Sequence, residues 1–481
     1  MNNIIKEIAD NWKLEARQED NNKYFFHTKE SEKILAGDKF YVIGRKGAGK
    51  TAISEFILEK KEYNIFSEKL SFKNFPFNEL YQLEDTNYTS PNQYISIWKY
   101  IIYSTICKLM VQNQKTEKEI KRILEDLYPS TNKPLRRLLN KWTAKDFSFS
   151  ISILGNGMSI KLEKDLGKFN QSNWVQKVDI LEDIIDEYID DSKYYVIFDE
   201  LDEDYRSFAT IEEKSKYDFL ITSLFKAVQD IKNNFKDKKN SINPIIFLRD
   251  DIYSIIRDSD KNKWTDFKIE IDWDRDKIKK MIAHRISVAV EGNKQEQLDF
   301  QKEWNKIFLE QPVKMGDKQT KSLHSFDFIT RSTHLRPRDY IKYINECCKQ
   351  ALEDNVSKIN NKIIKKVDKA FSNYLKDEIM DEVHAILPEI EHIFSIISQI
   401  RKPSFSIKEF RSIYNQYLQK GTIKQKNIDF VLQTLFNFSV IGNKSPKRDL
   451  CFFRYENKEA RFNFNENIEV HRGLFKALQI L

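Results

Sequence analysis

The chain has 481 residues, 40% of them hydrophobic and 32% charged, with only 12 Gly, 10 Pro and a formal net charge of +7. That length favours two or three domains over a single core, and that composition favours a helix-rich globular protein. Cys107, Cys347, Cys348 and Cys451 show no C-x-x-C spacing, no apolar run is long enough to span a membrane, and Met1-Asn-Asn-Ile-Ile-Lys6 is no signal peptide. A zinc site, a disulfide framework and a membrane protein are therefore disfavoured, and the expected compartment is the cytoplasm, with reduced thiols.

Residues 1–36 read as a helix, the aromatic segment Tyr24-Phe25-Phe26 and a second helix leading into a strand. Aromatics at this point can line an adenine pocket or simply fill the core. Next comes Phe40-Tyr-Val-Ile-Gly-Arg-Lys-Gly-Ala-Gly-Lys-Thr51, a strand, a glycine-rich turn and a helix start. It matches G-x-x-x-x-G-K-[ST] at Gly44, Gly49, Lys50 and Thr51, and three of the 12 glycines (Gly44, Gly47, Gly49) fall in it. Such a loop aims successive backbone N–H groups and a helix N-terminus at one anion. Residues Gly44, Arg45, Lys46, Gly47, Ala48, Gly49, Lys50, Thr51 and Ala52 are the candidate nucleotide-binding set. Lys50 is assigned to the β/γ-phosphates of ATP and Thr51 to Mg²⁺.

Ile65–Phe72 reads as a second strand, 93–112 as a long helix around Trp98, and 116–141 as a polar helical hairpin broken at Pro129 and Pro134. Phe147–Leu162 alternates on both sides of Gly155-Asn-Gly157, the pattern of a β-hairpin, and reads as an insertion at about 146–163. A helix at 176–190 leads to Tyr194-Tyr-Val-Ile-Phe-Asp-Glu200, an apolar parallel strand ending in two acids. Asp199 is expected to hold the water shell of Mg²⁺ and Glu200 to activate the attacking water, with the following acids through Asp204 a solvated loop. After a helix at 211–234, Pro244–Asp251 is another buried strand ending in Arg249. That arginine either reads a γ-phosphate or pairs with Asp250 or Asp251. Phe267–Trp273 is a fifth strand, and 295–355 reads as helical, including His334-Leu-Arg-Pro-Arg-Asp-Tyr340, where proline starts a helix between Arg336 and Arg338. Another helix covers 357–384.

Three amphipathic helices follow, lined by Ile390, Ile393, Phe394 and Ile397, by Ile407, Phe410, Tyr414 and Tyr417, and by Ile428, Val431, Leu432, Leu435 and Phe436. Leu450–Tyr455 and Ala460–Phe464 read as strands, giving the order of a winged helix. Residues 401–481 hold 15 Lys/Arg against 7 Asp/Glu, so the positive surplus sits at this end. The face offered to DNA would be Gln425, Lys426, Gln433, Thr434 and Asn437 on the third helix, with Lys444, Lys447, Arg448 and Arg454 on the ribbon. A solvated basic surface or a protein-docking module is the alternative.

Taken together, these pieces resemble the origin-recognition-like and STAND branches of AAA+ ATPases over roughly residues 10–481. The resemblance implies a P-loop core with a parallel sheet at 1–290, a helical lid at 291–384 and a winged-helix-like domain at 385–481. It implies that Ile245-Ile-Phe-Leu-Arg249 is the strand-borne sensor of STAND proteins and Leu335-Arg-Pro-Arg338 the lid sensor. The lid motif usually opens with Gly, so Leu335 departs from it, and the choice between Arg336 and Arg338 stays open. The expected activity is an ATP-hydrolysing switch that couples nucleotide state to double-stranded DNA or a partner protein. Glu200, Lys50 and Arg249 would be its catalytic residues, and the resemblance allows a role in antiphage defence. An ATP-dependent oligomeric scaffold that recruits an effector protein without binding DNA is one alternative, and a P-loop kinase is another; the partners would be ATP and a second copy of the chain or an effector protein.

Overall fold

The computed structural model describes residues 2–71, 92–127, 174–202, 211–238, 241–291, 298–315, 320–445 and 450–480. The hairpin expected at Phe147–Leu162, the second half of the 116–141 segment, Asp204, Lys447 and Arg448 lie outside them. The chain forms two compact units, His27–Lys46 with Lys50–Ile271, and Met1–Phe26 with Gly47–Gly49 and Asp272–Leu481.

The first unit is an α/β core around a five-stranded sheet, in the order β2-β3-β4-β1-β5. Its strands are β1 (Tyr41–Ile43), β2 (Ile65–Ser71), β3 (Lys193–Asp199), β4 (Ile242–Leu248) and β5 (Lys268–Glu270), all paired in parallel. β4 is buried at every position and β3 at all but its first, as a parallel strand covered on both faces requires. The helix Ile95–Gln112 is buried almost throughout, and Trp98 anchors it by donating its indole N–H to the Leu220 carbonyl (2.9 Å) of helix Ile211–Asn234. Because every strand runs the same way, the residues following β1, β3 and β4 gather along one sheet edge, where ligands of open parallel sheets bind. The fold class is thus an α/β P-loop core followed by a helical C-terminal region.

In the second unit, the N-terminal helix Asn2–Asn11 packs on helix Pro337–Glu353. The Asn345 amide donates to the carbonyls of Ile8, Ala9 and Trp12 at 3.0–3.2 Å, which closes that helix's last turn. Arg285, on helix Arg275–Glu291, pairs with Glu19 and lies over the rings of Trp12 and Tyr24. Tyr24 and Phe25 are therefore core residues. Within 295–355, expected to be helical, the chain forms an antiparallel pair, β6 (Val313–Met315) and β7 (Lys321–Leu323).

The last part of this unit has helices Ile390–Ile400, Ile407–Gln419 and Ile428–Asn437. A four-stranded antiparallel sheet joins them, in the order β10-β9-β11-β8. Its strands are β8 (Ser404–Phe405), β9 (Ile441–Lys444), β10 (Cys451–Phe452) and β11 (Asn467–Val470). Ala460–Phe464 is not a strand. There the Asn443 side chain takes the place of a ladder partner, donating to the Asn463 carbonyl (2.9 Å) and accepting from its N–H (2.8 Å), while pairing with β9 passes to Asn467–Val470. The tail folds back: a Cβ on Gly473 would collide with the Ser332 carbonyl and the Leu375 side chain, and the Ala477 N–H donates to Ser372 Oγ (2.9 Å).

Candidate functional site

The glycine-rich turn leaves β1 at Gly44, whose N–H donates to the Leu248 carbonyl at the end of β4 (3.2 Å). Gly47 and Gly49 have φ of 78° and 98°. L-side chains rarely adopt this left-handed backbone, so the sequence needs glycine at both points. Helix Lys50–Glu59 follows directly. Lys50 Nζ donates to the carbonyls of Gly44 (2.7 Å) and Arg45 (3.1 Å). Burial holds this ammonium below the ordinary lysine value, against the pull of Asp202, Asp250 and Asp199, and Arg249 pushes the same way as burial.

Asp199 ends β3 and is 3% exposed. Its Oδ1 accepts the Glu200 N–H (3.0 Å), and its Oδ2 lies 3.0 Å from Lys69 Nζ on β2. Glu200 turns the chain with φ 61° and accepts a hydrogen bond from Ser71 Oγ. Ser71 ends β2 and stands in register with Asp199. Arg249 caps the end of β4 as expected, but forms a fork with Asp251 (2.9 and 2.5 Å) and reaches Asp202 at 3.4 Å. This is the pairing arrangement that the sequence left as the alternative to phosphate contact.

Arg336 and Arg338 differ sharply. Arg336 is 3% exposed, meets Asp339 at 3.0–3.2 Å, and donates to Glu382 at 2.8 Å. Burial acts to lower its guanidinium, yet Asp339 and Glu382 outweigh it and hold the group above the ordinary arginine value. Among the described residues, the ion-pair contacts of Arg338 are longer, 3.6 Å to Glu378 and 3.9 Å to Glu15. A Cβ placed on Gly47, which groups with this unit, would lie 3.2 Å from Arg338 Cβ. Leu335 takes φ 53°, a left-handed conformation that glycine adopts more readily. In the same unit, Trp273 Nε1 donates to the Ala48 carbonyl (2.8 Å). The sequence reading missed Lys69, Ser71 and Trp273.

At the C-terminus, Lys426 is exposed, together with Lys408, Lys420 and Lys424. Gln433 is half-buried and bonded to Asn437 (3.3 Å). Thr434 is buried and bonded to the Phe430 carbonyl, so it does not belong to an outer face. The exposed side of helix Ile428–Asn437 carries Asp429, Phe430 and Asn437, and Asp429 pairs with Arg411 (2.5 Å).

The loop fits phosphate chemistry: left-handed glycines, a helix N-terminus and a lysine meet there. Asp199 fits a hydrated divalent cation better than direct ligation, since Oδ1 accepts a backbone N–H and Oδ2, which has no hydrogen bond, faces the Lys69 ammonium. No cluster of His, Cys, Asp and Glu suited to a metal occurs among the described residues. No helix among them is long and apolar enough to cross a membrane.

The family of FunZ-associated C-terminal helical domains matches residues 276–380. No curated protein matches the chain. Among solved structures, the chain is similar to the Aeropyrum pernix ORC1 protein in complex with DNA, with 8% identity, a TM-score of 0.38, and coverage of 93% of this chain and 90% of that one. It is similar to the Aeropyrum pernix ORC2 protein in ADPNP-ADP complexes, with 10% identity, a TM-score of 0.39 and coverage of 93% and 88%. A third is the Drosophila ORC bound to DNA, with 11% identity, a TM-score of 0.26 and coverage of 99% and 91%.

Proposed function

We propose that this protein is an ATP-binding and ATP-hydrolysing switch of the AAA+ type. The observation that carries the reading is the shared sheet edge: the Gly44–Thr51 loop follows β1, Asp199-Glu200 ends β3, and Arg249 follows β4. In this reading the loop N–H groups and Lys50 bind the phosphates. Thr51, and Asp199 through water, would hold Mg²⁺, and the ion would supply neutralisation of phosphate charge. Glu200 takes the proton of the attacking water. Arg249 turns from Asp251 toward the γ-phosphate, and Arg338 is the lid sensor. A kinase is disfavoured because Glu200 supplies a base for water. The test is phosphate release from ATP without any acceptor. It is expected from the parent and abolished in Lys50→Ala, which should also lose tight ATP binding by calorimetry. Unchanged ATP affinity in a folded Lys50→Ala protein rejects the reading.

The C-terminal helices and sheet are read as a winged-helix-like module that binds duplex DNA through phosphates. Exposed Lys408, Lys420, Lys424 and Lys426 support this. Fluorescence anisotropy with labelled duplex should show binding that weakens steeply with salt, and weaker binding after Lys447 and Arg448 are changed to Glu. Undetectable binding by the parent at low salt favours the scaffold, with an oligomer or effector protein as partner. A role in antiphage defence would appear as restored phage plaques when a host expresses the Lys50→Ala form in place of the parent.

A further inference from the structure

β2 contributes more to the site than a neighbouring strand needs to. Lys69 and Ser71 are two residues apart, so they stand on the same face of the strand. Ser71 takes Glu200. Lys69 takes Asp199 at 3.0 Å and, at 2.6 Å, Glu55 on the helix that follows the glycine-rich loop. The three charged side chains are 9%, 4% and 14% exposed. A buried lysine held between two carboxylates is costly to desolvate, so each partner depends on the others. The remaining Asp199 oxygen accepts the Glu200 N–H. Asp199 thus meets groups of its own chain at both oxygens, at Oδ2 through the Lys69 ion pair and not through a hydrogen bond.

We propose that Lys69 is a positioning residue that acts as a tethered cation, competing with a divalent metal ion for Asp199. The proposal rests on reading Asp199 as the acid that faces Mg²⁺. Opposite charges at this separation attract strongly away from bulk water. A divalent ion approaching Asp199 must either work through water or displace the lysine. The ammonium thereby keeps the acid pointed and compensated without metal, and lowers the affinity of the protein for metal alone. Metal then binds well only when phosphates add their own oxygens.

The test is Mn²⁺ binding to the full-length, nucleotide-free protein, followed by loss of the free-ion electron paramagnetic resonance signal. Lys69→Met should bind Mn²⁺ at least about tenfold more tightly than the parent, because the competing charge is gone. Lys69→Arg should resemble the parent, and adding Asp199→Asn to Lys69→Met should erase the gain. Lys69→Gln, checked by circular dichroism, repeats the test if the methionine variant does not fold. Equal Mn²⁺ affinity in the parent and the folded neutral variants overturns the proposal, as does a gain that survives Asp199→Asn. Binding of a fluorescent ATP analogue in EDTA is measured alongside. Because metal and nucleotide support each other's binding, the same analogue is also titrated with Mg²⁺, and its failure to bind the parent there counts against the ATPase reading and leaves the Mn²⁺ comparison intact.

Discussion

Ser71, the last residue of β2, donates a hydrogen bond to the carboxylate of Glu200, which follows the last residue of β3. The bond aims a side chain whose backbone is in the left-handed region. Glu200→Gln should retain ATP and stop turnover, since the amide keeps the size and loses the basicity. Ser71→Ala should lower kcat by about tenfold with little change in KM, because orientation is lost and phosphate binding is not. Single-turnover hydrolysis and calorimetry check both. Turnover at the parent rate in Glu200→Gln removes Glu200 as the base.

Arg336 and Arg338 should separate cleanly. Arg336→Met leaves Asp339 and Glu382 without their cation, and Asp339 is fully buried. A loss of about 3–5 kcal/mol of stability is expected. Arg338→Met should leave stability within about 0.5 kcal/mol of the parent and slow hydrolysis by roughly 10–100-fold. Urea denaturation and phosphate release distinguish the two. The reverse pattern would make Arg336 the sensor.

Arg249→Ala should reduce hydrolysis and ATP affinity while ADP affinity stays near the parent value, if the guanidinium leaves Asp251 to meet a γ-phosphate. Calorimetry with each nucleotide decides. Equal losses for ATP and ADP would mean that the fork with Asp251 is its whole role.

His471 gives a pH dependence. Its ring lies 4.4 Å from the ring of His334 and 5.3 Å from that of Tyr455. Burial, then the charge of Arg336, pushes it down to about 3 from an ordinary 6.5. The unfolded chain therefore binds a proton below 6.5 that the folded chain refuses until about 3. Stability from this group is complete above that window and falls as the pH drops through it, by up to about 1.4 kcal/mol per pH unit. His471→Asn keeps an acceptor for the Gly473 N–H and should flatten the slope in urea titrations between pH 6.5 and 4. An identical slope in both proteins rules His471 out as its source.

The phosphate loop, Asp199-Glu200 and Arg249 were legible because each is a local pattern fixed by one strand end. Lys69 and Ser71 were not, because the places they take come from β2 lying beside β3, a neighbour relation hidden by the long stretch of chain between Ser71 and Lys193. Nothing in Leu335-Arg-Pro-Arg338 tells which arginine is internal, since only packing against Asp339 and Glu382 decides it. Strand β11, with Asn467 and Glu469 alternating with Ile468 and Val470, has the period-2 pattern of a strand, but the aromatic Ala460–Phe464 stretch shows the same alternation and outranks it on aromatic content. It is placed by its neighbours rather than by its own composition.

The glycine at position 473 has a mechanical consequence. Its backbone rests on Ser332, three residues before Leu335, with no space even for a methyl group. The contact there is close, so a twist of the Arg338 helix would be passed to the C-terminal helices and sheet with little slack. The C-terminal helices and sheet would then swing as a lever arm set by the angle of one arginine-bearing helix, and an added methyl at 473 would work as a wedge that loosens the lever without touching any residue that meets nucleotide.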